Sequence, residues 1–219
     1  MEKRNDLGID NLVKYQNYIE DLYKESGTLS QKSFIDKTEW KDFVPVIEDD
    51  VVRFLKIMLQ VKKPMKILEI GTSIGFSATS MALIAKKYGG TITTIEFNPL
   101  AQKQAEKNFL RYGVDKTVQI MYGDACKILP QIADESFDLI FQDVENRLYP
   151  QLQQDCVRIL KTGGIFIADD TLFPVMDLGE QLKDQVEPTN QFNHMIANSS
   201  QLESTLLPIG DGVVIGIKR

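Results

Sequence analysis

The chain has 219 residues, 43% of them hydrophobic and 26% charged, the proportions of one soluble globular domain rather than of a disordered or fibrous chain. Its 31 acidic residues outweigh 25 basic ones, for a net charge of −6, which opposes general binding to a phosphate backbone and favours small partners. Two cysteines, Cys126 and Cys156, are too few for a disulfide scaffold of this size and read as buried small apolar residues. No apolar run of about 18 residues exists to span a membrane. The opening MEKRNDLGID lacks the apolar stretch of a signal peptide, so the expected compartment is the cytoplasm.

Residues 1–45 are polar, with Leu12, Val13, Tyr15, Tyr18, Ile19, Leu22 and Tyr23 at helix-like spacing. They read as an N-terminal helical arm or lid, and residues 46–219 as the main domain. A helix is expected at 49–59, leading into Pro64. From residue 66 the period changes. Short runs rich in isoleucine and valine at 66–70, 91–95, 117–121, 137–141 and 164–168 read as strands, and the stretches 76–87, 99–112, 125–132 and 147–160 between them as helices. Five such units imply a mostly parallel sheet with helices on both faces, because parallel strands need crossovers. The tail differs. Residues 204–207 and 213–218 flank Pro208-Ile209-Gly210-Asp211-Gly212, whose Asp-Gly pair suits a tight reversal, so two last strands are expected to pair antiparallel at one edge and complete a seven-stranded sheet.

In such a sheet ligands bind beyond the carboxyl ends of the strands, where the strand order reverses. The run Ile67-Leu68-Glu69-Ile70-Gly71-Thr72-Ser73-Ile74-Gly75-Phe76-Ser77 ends the first strand and enters a helix. Gly71 allows a tight turn and Gly75 close packing of helix on strand. Strand two ends in Glu96, which can accept two hydrogen bonds from a ribose diol. Gly123-Asp124-Ala125 follows strand three, where Asp124 is suited either to an adenine amino group or to capping a helix. The three together fit an adenosine ligand. The absence of GxGxxG and GxxxxGK[ST] loops argues that this ligand carries no polyphosphate.

A second set is purely acidic. Asp143 follows strand four and Asp169-Asp170 follows strand five, so three carboxylates can converge on one point. All-oxygen ligation selects a hard divalent cation, magnesium, manganese or calcium, rather than zinc. The alternative is that these aspartates cap the segments after them.

Through VPVIEDDVVRFL, ILEIGTSIGFSA, TIE, GDA, DLIFQDVENRLY, LKTGGIFIADDTLF and LPIGDGVVIGIK, from about Val44 to Lys218, the sequence resembles class I S-adenosylmethionine methyltransferases. It is most similar to the bacterial metal-dependent O-methyltransferases of the catechol and caffeoyl-coenzyme A type. The resemblance implies a Rossmann-like fold, S-adenosylmethionine as cofactor and a divalent cation. It also implies methyl transfer to a metal-chelated hydroxyl of a small aromatic, catechol-like acceptor. Cofactor residues would be Ile47, Glu69, Gly71, Ser77, Glu96, Asp124, Ala125 and Asp143: Ile47 and Ser77 along the methionine part, Glu96 on the ribose, Asp124 and Ala125 at the adenine, Asp143 near the sulfonium. Asp143, Asp169 and Asp170 match the metal ligands, with Asp143 also the catalytic position. A homodimer is the family's usual state.

Two positions depart from that pattern. Where the family carries Asp-x-x-Lys, this chain has Asp143-Val144-Glu145-Asn146, so the lysine assigned to take the substrate proton is absent, and Arg147 stays protonated. Asp170 stands where the family usually has asparagine, and its extra anion favours a cation while opposing ionisation of a hydroxyl. Either the metal alone activates the hydroxyl, or Glu145 or a bound hydroxide takes the proton, or the protein binds cofactor without turnover. VPVIEDD also resembles bacterial enzymes that methylate 5-hydroxyuridine in transfer RNA, which is the alternative acceptor. His194 and Tyr149 read more simply as surface and packing residues, and Trp40 and Phe43 as a substrate lid or a hydrophobic anchor.

Overall fold

The computed structural model describes residues 9–24, 26–27 and 29–219, with side chains from Lys14 onward. Leu12 and Val13 of the expected arm pattern therefore lie outside the described side chains. The chain divides into two units, Met1–Ser30 and Gln31–Arg219. The first carries α1 (Ile9–Tyr23). Residues 31–45, read from the sequence as the end of the arm, are part of the second. There α2 (Gln31–Lys37) buries Phe34 against Phe76 and Tyr112, with ring centroids 5.2 Å apart in both pairs. Asn108 Nδ2 donates to Thr38 Oγ1 at 3.2 Å and Trp40 N–H to Gln104 Oε1 at 3.0 Å.

The larger unit continues α3 (Asp49–Lys62), β1 (Lys66–Ile70), α4 (Phe76–Ala85), β2 (Thr91–Glu96), α5 (Pro99–Arg111), β3 (Val118–Tyr122), α6 (Ala125–Ile128), β4 (Phe137–Gln142), α7 (Tyr149–Ile159), β5 (Leu160–Ala168), α8 (Val186–Ala197), β6 (Leu202–Leu207) and β7 (Val213–Lys218). The seven strands form one sheet in the order β3-β2-β1-β4-β5-β7-β6. The pairs among β1 to β5 are parallel, and β7 runs antiparallel to both β5 and β6. Helices α3, α4 and α5 pack as one group and α6, α7 and α8 as another, covering the sheet on both faces. This is the Rossmann-like architecture with an antiparallel C-terminal edge that the sequence implies.

Local chemistry sets the boundaries. Asn98 caps α5 by accepting from Leu100 N and Ala101 N, and Pro99 opens the helix, where its missing N–H leaves no bond unmade. Lys63 closes α3 in the left-handed region with its N–H on Leu59 O, just before Pro64. The expected helix at 125–132 stops at Ile128 and tightens into a 3-10 turn at Leu129–Gln131 around Pro130. The one expected at 147–160 begins as the 3-10 turn Asn146–Leu148 and becomes α-helical at Tyr149. β5 starts earlier than expected because Leu160 already pairs with Phe137, with a register shift before Leu139. Helices α2 and α8 have no counterpart in the sequence reading. Among the described residues no helix is long and apolar enough to cross a membrane.

β1 pairs with both β2 and β4, so the strand order reverses beside it. The crevice beyond the carboxyl ends of β1 and β4 is where this fold places a ligand.

Candidate active site

The turn after β1 is shaped by Gly71. Its φ is +101°, and a Cβ there would sit 1.7 Å from Asp143 O, so no other residue lets the tips of β1 and β4 approach this closely. Gly75 begins α4 at φ +82°, where a Cβ would press within 2.7 Å of the Phe109 ring. The Glu96 carboxylate at the tip of β2 pins this turn. Its Oε2 accepts from Thr72 N at 3.3 Å and Ser73 N at 2.9 Å, and its Oε1 from Asn98 N at 2.8 Å. A carboxylate offers about four acceptor sites, so capacity for a further donor remains. Deeper, Glu69 is fully buried on β1 and accepts from Thr94 Oγ1 through Oε2. Burial pushes its carboxyl up to about 7 against the opposing hydrogen bonds of Ser77 and Thr94, and among the described residues Oε1 has no partner at hydrogen-bonding geometry. A buried orphan oxygen is what a ligand ammonium group would satisfy. Ser77 and Ile47 are buried at 5% and 4% exposure. Asp124 caps α6 by accepting from Cys126 N at 2.9 Å, and Ala125 behind it is buried.

The tips of β4 and β5 carry the second half. Asp143 N donates to Ile70 O of β1 at 2.9 Å, and Asp169 N to Gln142 O of β4 at 3.1 Å, which sets the tips of β1, β4 and β5 side by side. Desolvation raises the Asp143 carboxyl to about 7, helped by the charges of Glu69 and Glu48. It raises Asp170 to about 8, helped by Asp143, Glu48 and Asp211. Asp169, 1% exposed, lies well above the usual carboxylate range through burial and then through Asp143 and Asp170. Among the described residues, no lysine or arginine forms an ion pair with any of the three. They are near enough to repel one another, yet among the described residues no three His, Cys, Asp or Glu side chains stand close enough to hold an ion together. One reason is that Asp169 turns its Oδ1 to Asp170 N, at 2.9 Å. The donor set, all carboxylate oxygen, matches a hard divalent cation in chemistry.

Residues 15–219 match the profile of the O-methyltransferase family. The chain belongs to that family. It is 31% identical over 171 residues to a catechol O-methyltransferase of Niastella koreensis, covering 76% of this chain and 75% of the relative. The fold matches an SAH-bound methyltransferase of Podospora anserina with a TM-score of 0.84, at 20% identity and over the whole of both chains. It also matches an O-methyltransferase of Bacillus cereus in complex with SAH, with a TM-score of 0.75 at 21% identity over 94% of this chain and 97% of that one. The chain is thus an S-adenosylmethionine-dependent O-methyltransferase.

In this methyltransferase the residue in the place of the expected lysine points inward. Asn146 is 1% exposed. Its Nδ2 donates to Asp170 O at 2.9 Å and Thr189 Oγ1 at 3.0 Å, and its N–H to Gln185 Oε1 at 2.8 Å. Arg147 is paired on the surface with Glu145 and, at 2.6 Å, with Asp184. His194 is exposed on α8. Tyr149 is fully buried, its ring edge-on to Phe192 at 5.0 Å, and its hydroxyl also reaches Gln142 O and Asp169 O, both at 3.2 Å. Trp40 and Phe43 sit half-buried with ring centroids 6.4 Å apart.

The sequence reading missed Glu48. It precedes α3 at the rim of the site, and desolvation together with Asp211, Asp50 and Asp49 pushes it up to about 7. Its neighbour Asp50 accepts from Gly210 N at 3.0 Å across 160 residues. The only signal was its position in VPVIEDD, one residue after Ile47.

Proposed function

We propose that this enzyme methylates a hydroxyl of a small aromatic, catechol-like acceptor, with Asp143, Asp169 and Asp170 holding a divalent cation. The observation that carries the reading is three carboxylates raised by burial and by neighbouring acidic groups, unmatched by any ion-paired lysine or arginine among the described residues, beside the Gly71 turn. When bound, the cofactor supplies an electrophilic methyl group, and the cation lowers the pKa of a phenol from near 10 by several units. Glu69 and Ser77 receive the polar end of the cofactor, Glu96 its ribose, and Asp124 and Ala125 its adenine. The Gly71 turn holds the tips of β1 and β4 together, which would place Asp143 beside the bound cofactor. The fixed tips of β4 and β5 orient the acceptor for an in-line approach, so its encounter with the methyl donor becomes intramolecular.

Asn146 has no basic atom and spends its donors inside the protein. Glu48 stands at the acidic rim, where desolvation and then Asp211, Asp50 and Asp49 raise its carboxyl, and it is the group we propose for the substrate proton. The acidic rim formed by Glu48, Asp50 and Asp211 disfavours polyanionic acceptors, which ranks a transfer RNA acceptor second. The test is methyl transfer from labelled S-adenosylmethionine to a catechol panel with and without magnesium. Product that requires magnesium supports the reading, and cofactor binding without product on any catechol rejects it.

A further inference from the structure

Of three successive carbonyls in the turn that bears the paired aspartates, two each accept from a side-chain amide outside the sheet, and the first shares the Tyr149 hydroxyl with Gln142 O. Tyr149 Oη lies 3.2 Å from Asp169 O, Asn146 Nδ2 donates to Asp170 O at 2.9 Å, and Asn193 Nδ2 donates to Thr171 O at 2.7 Å. The amides of the same residues are also taken: Asp169 N by Gln142 O at 3.1 Å, Asp170 N by Asp169 Oδ1 at 2.9 Å, and Thr171 N by Gly212 O at 3.0 Å. At the centre Asp170 has φ +56°, a left-handed conformation that L residues seldom adopt and that Asp and Asn tolerate best.

The middle donor is itself over-determined. Both Nδ2 hydrogens of Asn146 are used, and its second acceptor, Thr189 Oγ1, is oriented in turn by donating to Gln185 O at 2.7 Å. Gln185 also receives the Asn146 N–H through Oε1. Asn146, Gln185 and Thr189 are buried at 1%, 8% and 0% exposure, where each lost bond leaves an unsatisfied polar group.

We infer that Asn146 is a positioning residue: it clamps the backbone of Asp170 in its left-handed form and thereby fixes where the carboxylates of this turn point. The inference rests on the cation site proposed above, and it turns the position that departs from the family pattern into a structural element of that site. A side chain that cannot donate there releases the Asp170 carbonyl and leaves Thr189 without its partner, so the turn relaxes toward ordinary backbone angles. Supporting groups of this kind typically change metal affinity by about ten- to a hundredfold.

The experiment compares the wild type, Asn146→Leu and Thr189→Val by amide hydrogen exchange at Thr171 and Leu172, by manganese titration calorimetry, and by binding of S-adenosylhomocysteine. For Asn146→Leu the expected result is exchange faster by about tenfold at both amides, manganese binding weaker by about tenfold or more, and unchanged S-adenosylhomocysteine affinity. Thr189→Val, which keeps the Asp170 bond but frees the Asn146 rotamer, shifts exchange and manganese binding the same way by about threefold, and it decides the matter if Asn146→Leu does not fold. Exchange at the wild-type rate in a folded variant overturns the clamp. If wild-type protein takes up no manganese, the proposed cation site fails, while the clamp still stands or falls on exchange alone.

Discussion

The two halves of the crevice solve the problem of acidic residues at strand tips in opposite ways. At the tip of β2, Glu96 is met by three backbone N–H groups, so its charge is balanced by dipoles already built into the turn. At the tips of β4 and β5, Asp143 raises both Asp169 and Asp170, Asp170 raises Asp169, and Glu48 raises all three. The backbone of this second half is as firmly bonded as that of the first, yet its charge is unbalanced. A carboxylate neutralised by its own fold serves to shape a pocket and accept further hydrogen bonds, whereas a cluster left in mutual repulsion gains most from a cation.

Substitutions that strike one half and spare the other break this contrast. The largest effect is expected for Asp169→Ala, which removes the most buried carboxylate of the cluster: methyl transfer should fall by about a thousandfold, while calorimetry shows S-adenosylhomocysteine binding within about twofold of wild type. Next, Glu48→Gln should lower kcat/KM by about a hundredfold. Glu48 must be ionised to accept a proton, and a bound cation pulls its carboxyl down from about 7, so wild-type activity at saturating metal should rise with pH along a limb below about 7. The variant should lose that limb of the profile.

How much of this contrast could be read from the sequence alone differs between the halves for a physical reason. Strands β1, β4 and β5 were legible because a parallel strand buried on both faces is a largely apolar run, as in Ile67-Leu68-Glu69-Ile70, and β2 and β3 because β-branched residues recur in them, as in Thr91-Ile92-Thr93-Thr94-Ile95. With the strands placed, Gly71, Glu96, Asp143 and the Asp169-Asp170 pair could be put at the strand ends, where such a fold binds ligands. Helix α8 was illegible: its sequence VEPTNQFNHMIA carries Pro188 in its first turn and buries Thr189 alongside Phe192 and Ile196, so no apolar stripe marks it. The role of Asn146 depends on Thr189, 43 residues away. The pairing of Asp50 with Gly210 spans 160 residues. Local pattern cannot report contacts of that range. The end of residues 1–45 was read as polar arm because only Phe34 and Thr38 of α2 and its exit are deeply buried.

The nucleotide half is sharpened by Glu96→Gln, which keeps one oxygen but opposes an amide to the N–H groups of Thr72, Ser73 or Asn98. The expected cost is about tenfold in cofactor affinity, read by calorimetry, with manganese binding unchanged. The smallest effect is expected for Asp170→Asn. Asparagine tolerates the left-handed φ of +56°, so the turn survives while one negative charge leaves the cluster. Manganese affinity should weaken by a few fold and kcat should rise by about twofold, since less anionic charge then opposes ionisation of the acceptor hydroxyl. Steady-state kinetics at saturating metal separates the two.

The decisive property of the enzyme is whether the tips of β4 and β5 hold a cation beside the cofactor. A crystal of the enzyme grown with S-adenosylhomocysteine and soaked in manganese, measured at the manganese absorption edge, tests this directly. The expected result is one anomalous peak in contact with Asp143, Asp169 and Asp170, which close around the ion. A peak elsewhere, or no peak with the cofactor clearly bound, contradicts it.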